Sequence, residues 1–572
     1  MSIKHIVYVL CWLVMMLVDA HCHAQKMVVM TNPLNLSYRF QTEGVCRRET
    51  ADPVVVYCKN NYYLFASHSS GYWYSPDLRD WTYVATRTLK AVESWAPAVM
   101  VYNDAVYYVG MGEERAFRST DPMNDCWEKI AFDFHGMGDP AFFQDTDGKV
   151  YMYYGCSDWT PIKGAQVDPE NNFRIIGKEI ELIPHNSTRF GWEVFGDNNE
   201  LYDKKGWNEA PCITKQGDYY YLMYAAPGTE FISYCTATYV SKNPLGPYVC
   251  MQSMPFAIKA DGFVRGAGHG HPFKDCYGNN WYVATIVMAS KEHYERRVGI
   301  YPAVYKDGTA FACTDFMDYP FALPNKKVDF DKYDVRLNMN LLSYGKAMTA
   351  SSARPGYGPE KATDEDIRTW WSAISGKKGE WLQMDLGCPM TIEALQISFS
   401  DDGFQARRFD RDIPVYQYIV EYSTDGNSWY ILADRSQNTK DQIYELVVID
   451  KPVNARYVRV KNTKDFHIGN FSVADIRLFG QGGGKASSVV SGFQALRDQD
   501  RRRMSFSWNE QNNASGYVIR WGTSPKKLHC AVTVHGNCAE FGCFDTVASY
   551  YVTIEAFNES GKSKALDPIK VN

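Results

Sequence analysis

No Cys-x-x-Cys pair occurs anywhere in the 572 residues, which removes the common spacing of a structural zinc site. No long block of one charge occurs either. Sixty Lys and Arg against 66 Asp and Glu leave a formal net charge of −6, so neither a nucleic-acid backbone nor an anionic membrane is favoured as a partner. After the first 24 residues no apolar run reaches the length needed to span a bilayer. What is abundant is aromatic: 15% of the chain, with 40 Tyr and 15 Trp, suits strands and flat sugar-binding faces.

The chain starts with a basic tip, an apolar run over residues 6–18, and small residues at Ala20 and Ala24. That is the pattern of a secretory signal peptide (residues 1–24), cleaved after Ala20 or Ala24. His21 precedes Cys22 where a lipoprotein box wants a small residue, so lipidation ranks second. Export places the protein in the periplasm, at the cell surface or outside the cell. Of 15 Cys, 13 remain after residue 24; buried thiols are as good a reading as disulfides, with one pair open among Cys530, Cys538 and Cys543.

Five times a Pro opens a short apolar strand, a turn follows, and a Tyr-rich or Trp-Tyr strand returns. The prolines are Pro53, Pro97, Pro140, Pro211 and Pro272, spaced 44, 43, 71 and 61 residues apart. Repeated hairpins at such periods predict a five-bladed β-propeller. Innermost strands surround one axis, so their openings converge, and those openings carry Asp52, Asp139, Glu209 and His269. A single Asp-Pro is ordinarily a turn. Three carboxylates from distant blades suggest glycoside hydrolysis, with one group activating water, one protonating the leaving oxygen, and a third raising the acid's pKa. Glu209 stands one residue further from its Pro than the two Asp, which requires a bulge there.

Ala51-Asp52-Pro53, residues 74–81 (YSPDLRDW), Gly138-Asp139-Pro140, Asn208-Glu209-Ala210-Pro211 and Gly268-His269-Gly270 together resemble glycoside hydrolase family 43 over residues 27–330. The resemblance implies an inverting five-bladed propeller with Asp52 as general base, Glu209 as general acid and Asp139 as pKa modulator and orienter. It places His269 on the axis, where relatives hold a calcium ion through water; a hydrogen-bonded core His is the equal alternative, and His271 the fallback. Arg297 resembles a family arginine that reaches the pocket, with a surface salt bridge as the other reading. Trp95, Trp73 and Trp159 are candidates for a sugar-stacking wall, Trp95 first because it shares a repeat opening. Glu193 and Glu200, in an acidic-aromatic segment before Glu209, are rival acids.

Residues 338–480 carry Asn340-Leu341-Leu342-Ser343, Thr369-Trp370-Trp371-Ser372 and Arg456-Tyr457-Val458-Arg459-Val460, and resemble the discoidin-like (coagulation factor 5/8 type C) β-sandwich. This implies carbohydrate binding, or a spacer packed on the propeller. It also implies a structural calcium on the loop over residues 361–369, with Asp364, Thr369 and Asp475 as ligands; relatives often carry Glu at the last. Residues 481–488, Gly- and Ser-rich, read as a flexible linker. Residues 489–572 resemble a fibronectin type III sandwich, with Trp508 in its core and Tyr550 making a corner hydrogen bond.

The expectation is therefore an all-β chain: a five-bladed propeller followed by two β-sandwiches. Its function would be that of an exported, monomeric, inverting exo-glycosidase, needing no cofactor for chemistry. The expected substrate is an α-L-arabinofuranoside of plant-type polysaccharide or glycoprotein glycan. β-Xylosidase or β-galactofuranosidase action is the alternative within the mechanism. A fructan-type retaining enzyme would want Asn-Asp-Pro-Asn-Gly where Ala51-Asp52-Pro53-Val54 stands. The alternative of another class is a non-catalytic lectin.

Overall fold

The computed structural model describes residues 27–41, 45–134, 136–405, 415–466, 469–497 and 499–572. The segment over residues 1–24, read above as a signal peptide, lies outside the described residues. The architecture is all-β, with four short 3-10 turns and no α-helix among the described residues. No helix there is long and apolar enough to cross a membrane.

Five antiparallel sheets follow one another along residues 51–312. Blade 1 is Ala51–Cys58, Asn61–Ser67, Gly71–Ser75 and Thr82–Ala85. Blade 2 is Ala98–Tyr102, Ala105–Val109, Arg115–Asp121 and Cys126–Ala131. Blade 3 is Ala141–Gln144, Val150–Tyr154, Ile162–Asp168 and Arg174–Ile183. Blade 4 has three strands, Glu209–Gln216, Tyr219–Ala226 and Cys235–Ser241, with the bridge Val240 to Val249 standing at its outer edge. Blade 5 is Arg265–Lys274, Asn280–Val287, Arg296–Lys306 and Thr309–Ala312. The first strands adjoin in the order 1, 2, 3, 4, 5 and back to 1, which closes the propeller.

Local chemistry explains the blades. The first hairpin turns at Lys59 (φ 48°) and Asn60 (φ 64°), and the second at Asn103 (φ 47°) and Asp104 (φ 57°), two-residue turns whose twist matches the strands. The Tyr-rich second strands Ala105–Val109 and Val150–Tyr154 are buried along their whole length between neighbouring blades. Val29–Met30 pairs with Phe321–Ala322 after the last blade, and the Asn32 side chain brackets Ile300 through bonds of 2.9 and 3.0 Å.

The second module is a sandwich built around the long strands Trp381–Phe399 and Tyr444–Asn462 and the strand Ser472–Gln481, with register breaks where the long strands bend. The third is a two-sheet sandwich. Ser491–Arg497, Met504–Asn509 and Cys538–Phe541 face a sheet of Cys530–Val534, Gly516–Gly522, Tyr550–Asn558 and two short edge strands. Trp508 is buried between them. The Tyr550 hydroxyl accepts from Asp545 N at 2.8 Å, five residues upstream, and donates to Ser253 O of the propeller. Cys530, Cys538 and Cys543 are free thiols.

The stretch over residues 481–488 departs from the slack tether its composition predicts. Gly482 N donates to Glu559 O at 2.8 Å, Gly484 N to the Ser560 hydroxyl at 3.0 Å, and Lys485 O accepts from the Asn558 amide at 2.9 Å. A Cβ at Gly482 would lie 2.7 Å from Glu559 O. Glycine is there because the backbone lies flat on the last module, a close approach only glycine permits.

Candidate active site

Every blade opens with the same irregularity. Asp52, Ala96, Asp139, Ala210 and His269 all have left-handed backbones, with φ of 54°, 45°, 44°, 53° and 27°. Four of the five precede Pro, where the left-handed region is uncommon and strained. The residue before each is tied to the second strand of its blade or to the chain just beyond it: Ala51 to Ser67, Trp95 to Met111, Gly138 to Gly155, Glu209 to Ala225 and Gly268 to Thr285. The bulge expected at Glu209 alone is thus a feature of all five openings. It creates two registers. Asp52, Asp139 and His269 stand on the strained position; Glu209 and Trp95 stand one residue earlier.

These residues converge on a pocket of about 400 Å³ lined by Asp52, Trp95, Met111, Asp139, Cys156, Trp207, Glu209, Thr229, Glu230, His269, Tyr294 and Arg296, with Gly228. Asp52 accepts from the Ser67 hydroxyl at 2.5 Å and from Arg296 Nη1 at 3.2 Å, and His269 Nδ1 lies 3.1 Å from its Oδ1. Burial disfavours its charge, but Arg296, His269 and Ser67 outweigh burial and hold the carboxyl below the usual range. Glu209 accepts from the Tyr234 hydroxyl at 2.5 Å and lies 3.4 Å from Cys156 Sγ. Burial, helped by the charge on Asp52 and opposed by Tyr234, pushes it up to about 7. Asp139 accepts from Ala210 N at 3.2 Å and lies 3.7 Å from His269. Burial, then Glu209 and Asp52, push it well above the carboxylate range. One carboxyl is therefore held below the usual range and two are pushed above it, a division that suits a base and an acid working in one hole.

Burial, opposed by the charge on Asp52, holds His269 below the usual imidazole range, and its Nδ1 faces Asp52 and Asp139. His271, two residues on, has both ring nitrogens buried without a hydrogen-bond partner, and burial pushes it down to about 4.

Three expected pocket residues lie elsewhere. Trp73 is on the third strand of blade 1, too far out to reach the axis. It is fully buried against Tyr83 and donates to the Ser37 hydroxyl. Arg297 points away from the pocket because strand neighbours alternate faces. Its guanidinium meets Glu295 and the Tyr444 hydroxyl, and Arg296 takes the place at the base. Trp159 is 73% exposed and does not line the pocket. Glu193 is buried behind it, accepting from Tyr224 and Asn186 N, and Glu200 accepts from Asn198 N. Tyr234, Trp207, Cys156, Tyr294 and Arg296 were missed. Only Arg296 left a trace in the sequence, an Arg pair of which one member had to face inward.

In the second module the Thr369 hydroxyl donates to Asp364 Oδ2 at 2.6 Å and approaches Lys361 O at 3.4 Å. Asp475 accepts from Glu365 N at 3.2 Å, and its Oδ1 is buried with no hydrogen-bond partner. Burial and neighbouring carboxylates raise both Asp364 and Asp475. An oxygen-rich cradle with an orphaned buried carboxylate oxygen fits a hard cation such as calcium.

A propeller whose axial mouth holds three buried carboxylates of divided proton affinity belongs to the class of glycoside-cleaving enzymes. Comparison with known proteins narrows that class. Residues 42–310 match the family model "Glycosyl hydrolases family 43", and residues 347–475 match "F5/8 type C domain". Residues 42–310 are thus similar to a family 43 glycosyl hydrolase domain, and an F5/8 type C domain follows. A xylan 1,3-beta-xylosidase of Vibrio sp is 26% identical over 267 residues, 41% of this chain and 47% of that protein. Neuropilin-2 of Mus musculus is 36% identical over 126 residues, 20% of this chain and 13% of that protein. The chain spans less than half the length of these curated relatives. The crystal structure of xylan beta-1,4-xylosidase from Bacillus halodurans C-125 is 13% identical with a TM-score of 0.39, covering 79% of this chain and all of that one.

Proposed function

We propose that the protein is an exported, monomeric, inverting exo-glycosidase that releases α-L-arabinofuranose from plant-type polysaccharide or glycoprotein glycan side chains. The observation that carries the mechanism is the contrast between Asp52, held ionised by Arg296, and Glu209, held protonated by burial, in one pocket. Asp52 takes a proton from water as the water oxygen attacks the anomeric carbon. Glu209 gives its proton to the leaving oxygen as the glycosidic bond breaks, and solvent restores both groups. Asp139 orients the opening of blade 4 through Ala210 N. Trp95, 40% exposed at the rim, offers a ring face to the sugar. A pocket of about 400 Å³ has room for a sugar ring beside the carboxylates.

The proposed chemistry requires no cofactor. Lys361, Asp364, Thr369 and Asp475 would hold a structural calcium in the second module, and His269 orders water or a carboxylate at the axis. The second module binds glycan. The third is fibronectin type III-like, a reading supported by its strand pairing and by the Tyr550 corner bond. β-Xylosidase or β-galactofuranosidase action is the alternative within the same mechanism, and the named Vibrio relative favours the first. Hydrolysis of a panel of nitrophenyl glycosides by wild type and Asp52→Asn tests the proposal. Release from the α-L-arabinofuranoside, lost in the variant, supports it. Activity on a xyloside alone changes the sugar, and silence on every glycoside and polysaccharide leaves a lectin.

A further inference from the structure

We propose that each accessory sandwich positions one reacting carboxylate: the F5/8 type C module the base Asp52, and the C-terminal sandwich the acid Glu209. This rests on the assignment of base and acid above.

On the base side the device is strand alternation. In Arg47–Glu49, Glu49 faces inward and Arg48 outward; in Arg296–Lys306, Arg296 faces inward and Arg297 outward. The inward pair holds the base: Arg296 spans Glu49 at 3.1 Å and Asp52 at 3.2 Å. The outward pair is gripped by the second module. Arg48 reaches Asp401 and Asp441, each at 2.7 Å, and Arg297 donates to the Tyr444 hydroxyl at 2.7 Å and to Arg48 O at 2.5 Å. The Arg48 side chain is fully buried, and a buried pair that loses one partner leaves a charge without solvent. Adjacent residues on two strands therefore carry the grip of the module to the groups that hold Asp52.

On the acid side the device is the connection from blade 3 to blade 4. Arg189 makes two bonds to Asp545, at 3.0 and 2.9 Å, and Asp545 is fully buried. Gly191 N donates to Phe544 O and Thr546 N to Arg189 O, a two-bond β-bridge between the domains. A Cβ on Gly191 would lie 1.9 Å from Gly542 O. Arg502 and Arg503 donate to Ser187 O and Asn198 O. The same segment grips blade 4: Phe190 stacks on Trp192 at 4.5 Å, Trp192 donates to the Tyr224 hydroxyl, and Tyr224 donates to Glu193. Gly206 then packs against Glu193 O, leaving no room for a side chain, and the next three residues are Trp207, Asn208 and Glu209.

The two arms separate by leaving group, because only the acid's contribution depends on how badly the departing oxygen needs a proton. We compare phenyl and 2,4-dinitrophenyl glycosides of the sugar the enzyme cleaves, in the full chain. Arg189→Ala and Asp545→Asn are expected to lower kcat about tenfold or more on the phenyl glycoside and less than about threefold on the dinitrophenyl one. Arg48→Ala and Asp401→Asn are expected to lower both equally, with Arg48→Lys restoring part. The isosteric Asp→Asn pair covers failure of an alanine variant to fold. Equal losses from Arg189→Ala and Asp545→Asn, or a leaving-group-selective loss from Arg48→Ala, overturn the inference. Activity on the phenyl glycoside surviving in Asp52→Asn and Glu209→Gln would instead overturn the assignment on which it stands.

Discussion

Trp95 and Glu209 occupy the same position in blades 2 and 4. Each is followed by a left-handed Ala and a Pro, and each is tied past the bulge to the second strand of its blade or to the chain just beyond it, Trp95 to Met111 and Glu209 to Ala225. Where blades 1, 3 and 5 have Ala51, Gly138 and Gly268 at this position, these two blades project a large side chain into the hole. The small residues make the room. A Cβ on Gly268 would lie 2.3 Å from the Tyr234 ring, the ring whose hydroxyl meets Glu209.

Trp95→Ala is expected to raise KM about three- to tenfold with little change in kcat on an activated substrate, since stacking contributes about 0.5–1.5 kcal/mol beyond area. Glu209→Gln is expected to lower kcat by about 10²–10⁴ on a poor leaving group. Steady-state kinetics of the two variants distinguish a wall from an acid at equivalent positions.

The pH profile follows from the two shifts. The acid must be protonated, so kcat/KM is expected to fall as pH rises through about 7, the value to which Glu209 is pushed. The base must be ionised, so the acidic limb lies below the ordinary Asp range. Arg296→Gln removes the cation from Asp52 and is expected to move the acidic limb upward. Asp139 and Glu209 are a coupled pair, Asp139 being raised by burial and then by the charges on Glu209 and Asp52. Asp139→Asn is expected to lower kcat and to move the alkaline limb downward, and an unchanged limb would remove the tuning role from Asp139.

Glu193 ties stability to pH. Burial pushes it up to about 7 from the 4.5 of an unfolded chain, so the folded protein holds a proton that the unfolded one releases. Its contribution is expected to fall as pH rises between about 4.5 and 7, by on the order of 3 kcal/mol in all. Glu193→Gln is expected to flatten that part of the curve in denaturant unfolding at pH 5 and pH 7.5.

Calcium is expected to raise the thermal midpoint of the chain by a few degrees, and chelation to reverse it, because an ion bound only by the folded state stabilises by mass action. Asp364→Asn is expected to abolish the shift. Differential scanning fluorimetry with calcium or chelator reads both.

The propeller was legible because Pro-opened hairpins recur with turn residues whose physics is local, Lys59-Asn60 and Asn103-Asp104 among them. The carboxylates were legible because they sit on that repeat. Trp73 and Arg297 were misplaced because composition does not tell an outer strand from an inner one, nor which of two adjacent Arg faces inward. Tyr234 left no mark at all. It immediately precedes the third strand of blade 4, outside the repeated motif, and reaches Glu209 only because Gly268 of the next blade has no side chain. The stretch over 481–488 was misread because a Gly-rich composition serves a slack tether and a close backbone approach alike.

That pinned junction bears on how such a chain can change over generations. A slack tether lets a module be traded for another of any shape, since nothing on either side has to match. Here the junction backbone is fitted to Glu559, Ser560 and Asn558, so a replacement module would have to bring the same seat with it. The junction and the last module are fitted to one another, and recombination within residues 481–488 is a break in a surface rather than a cut in a string.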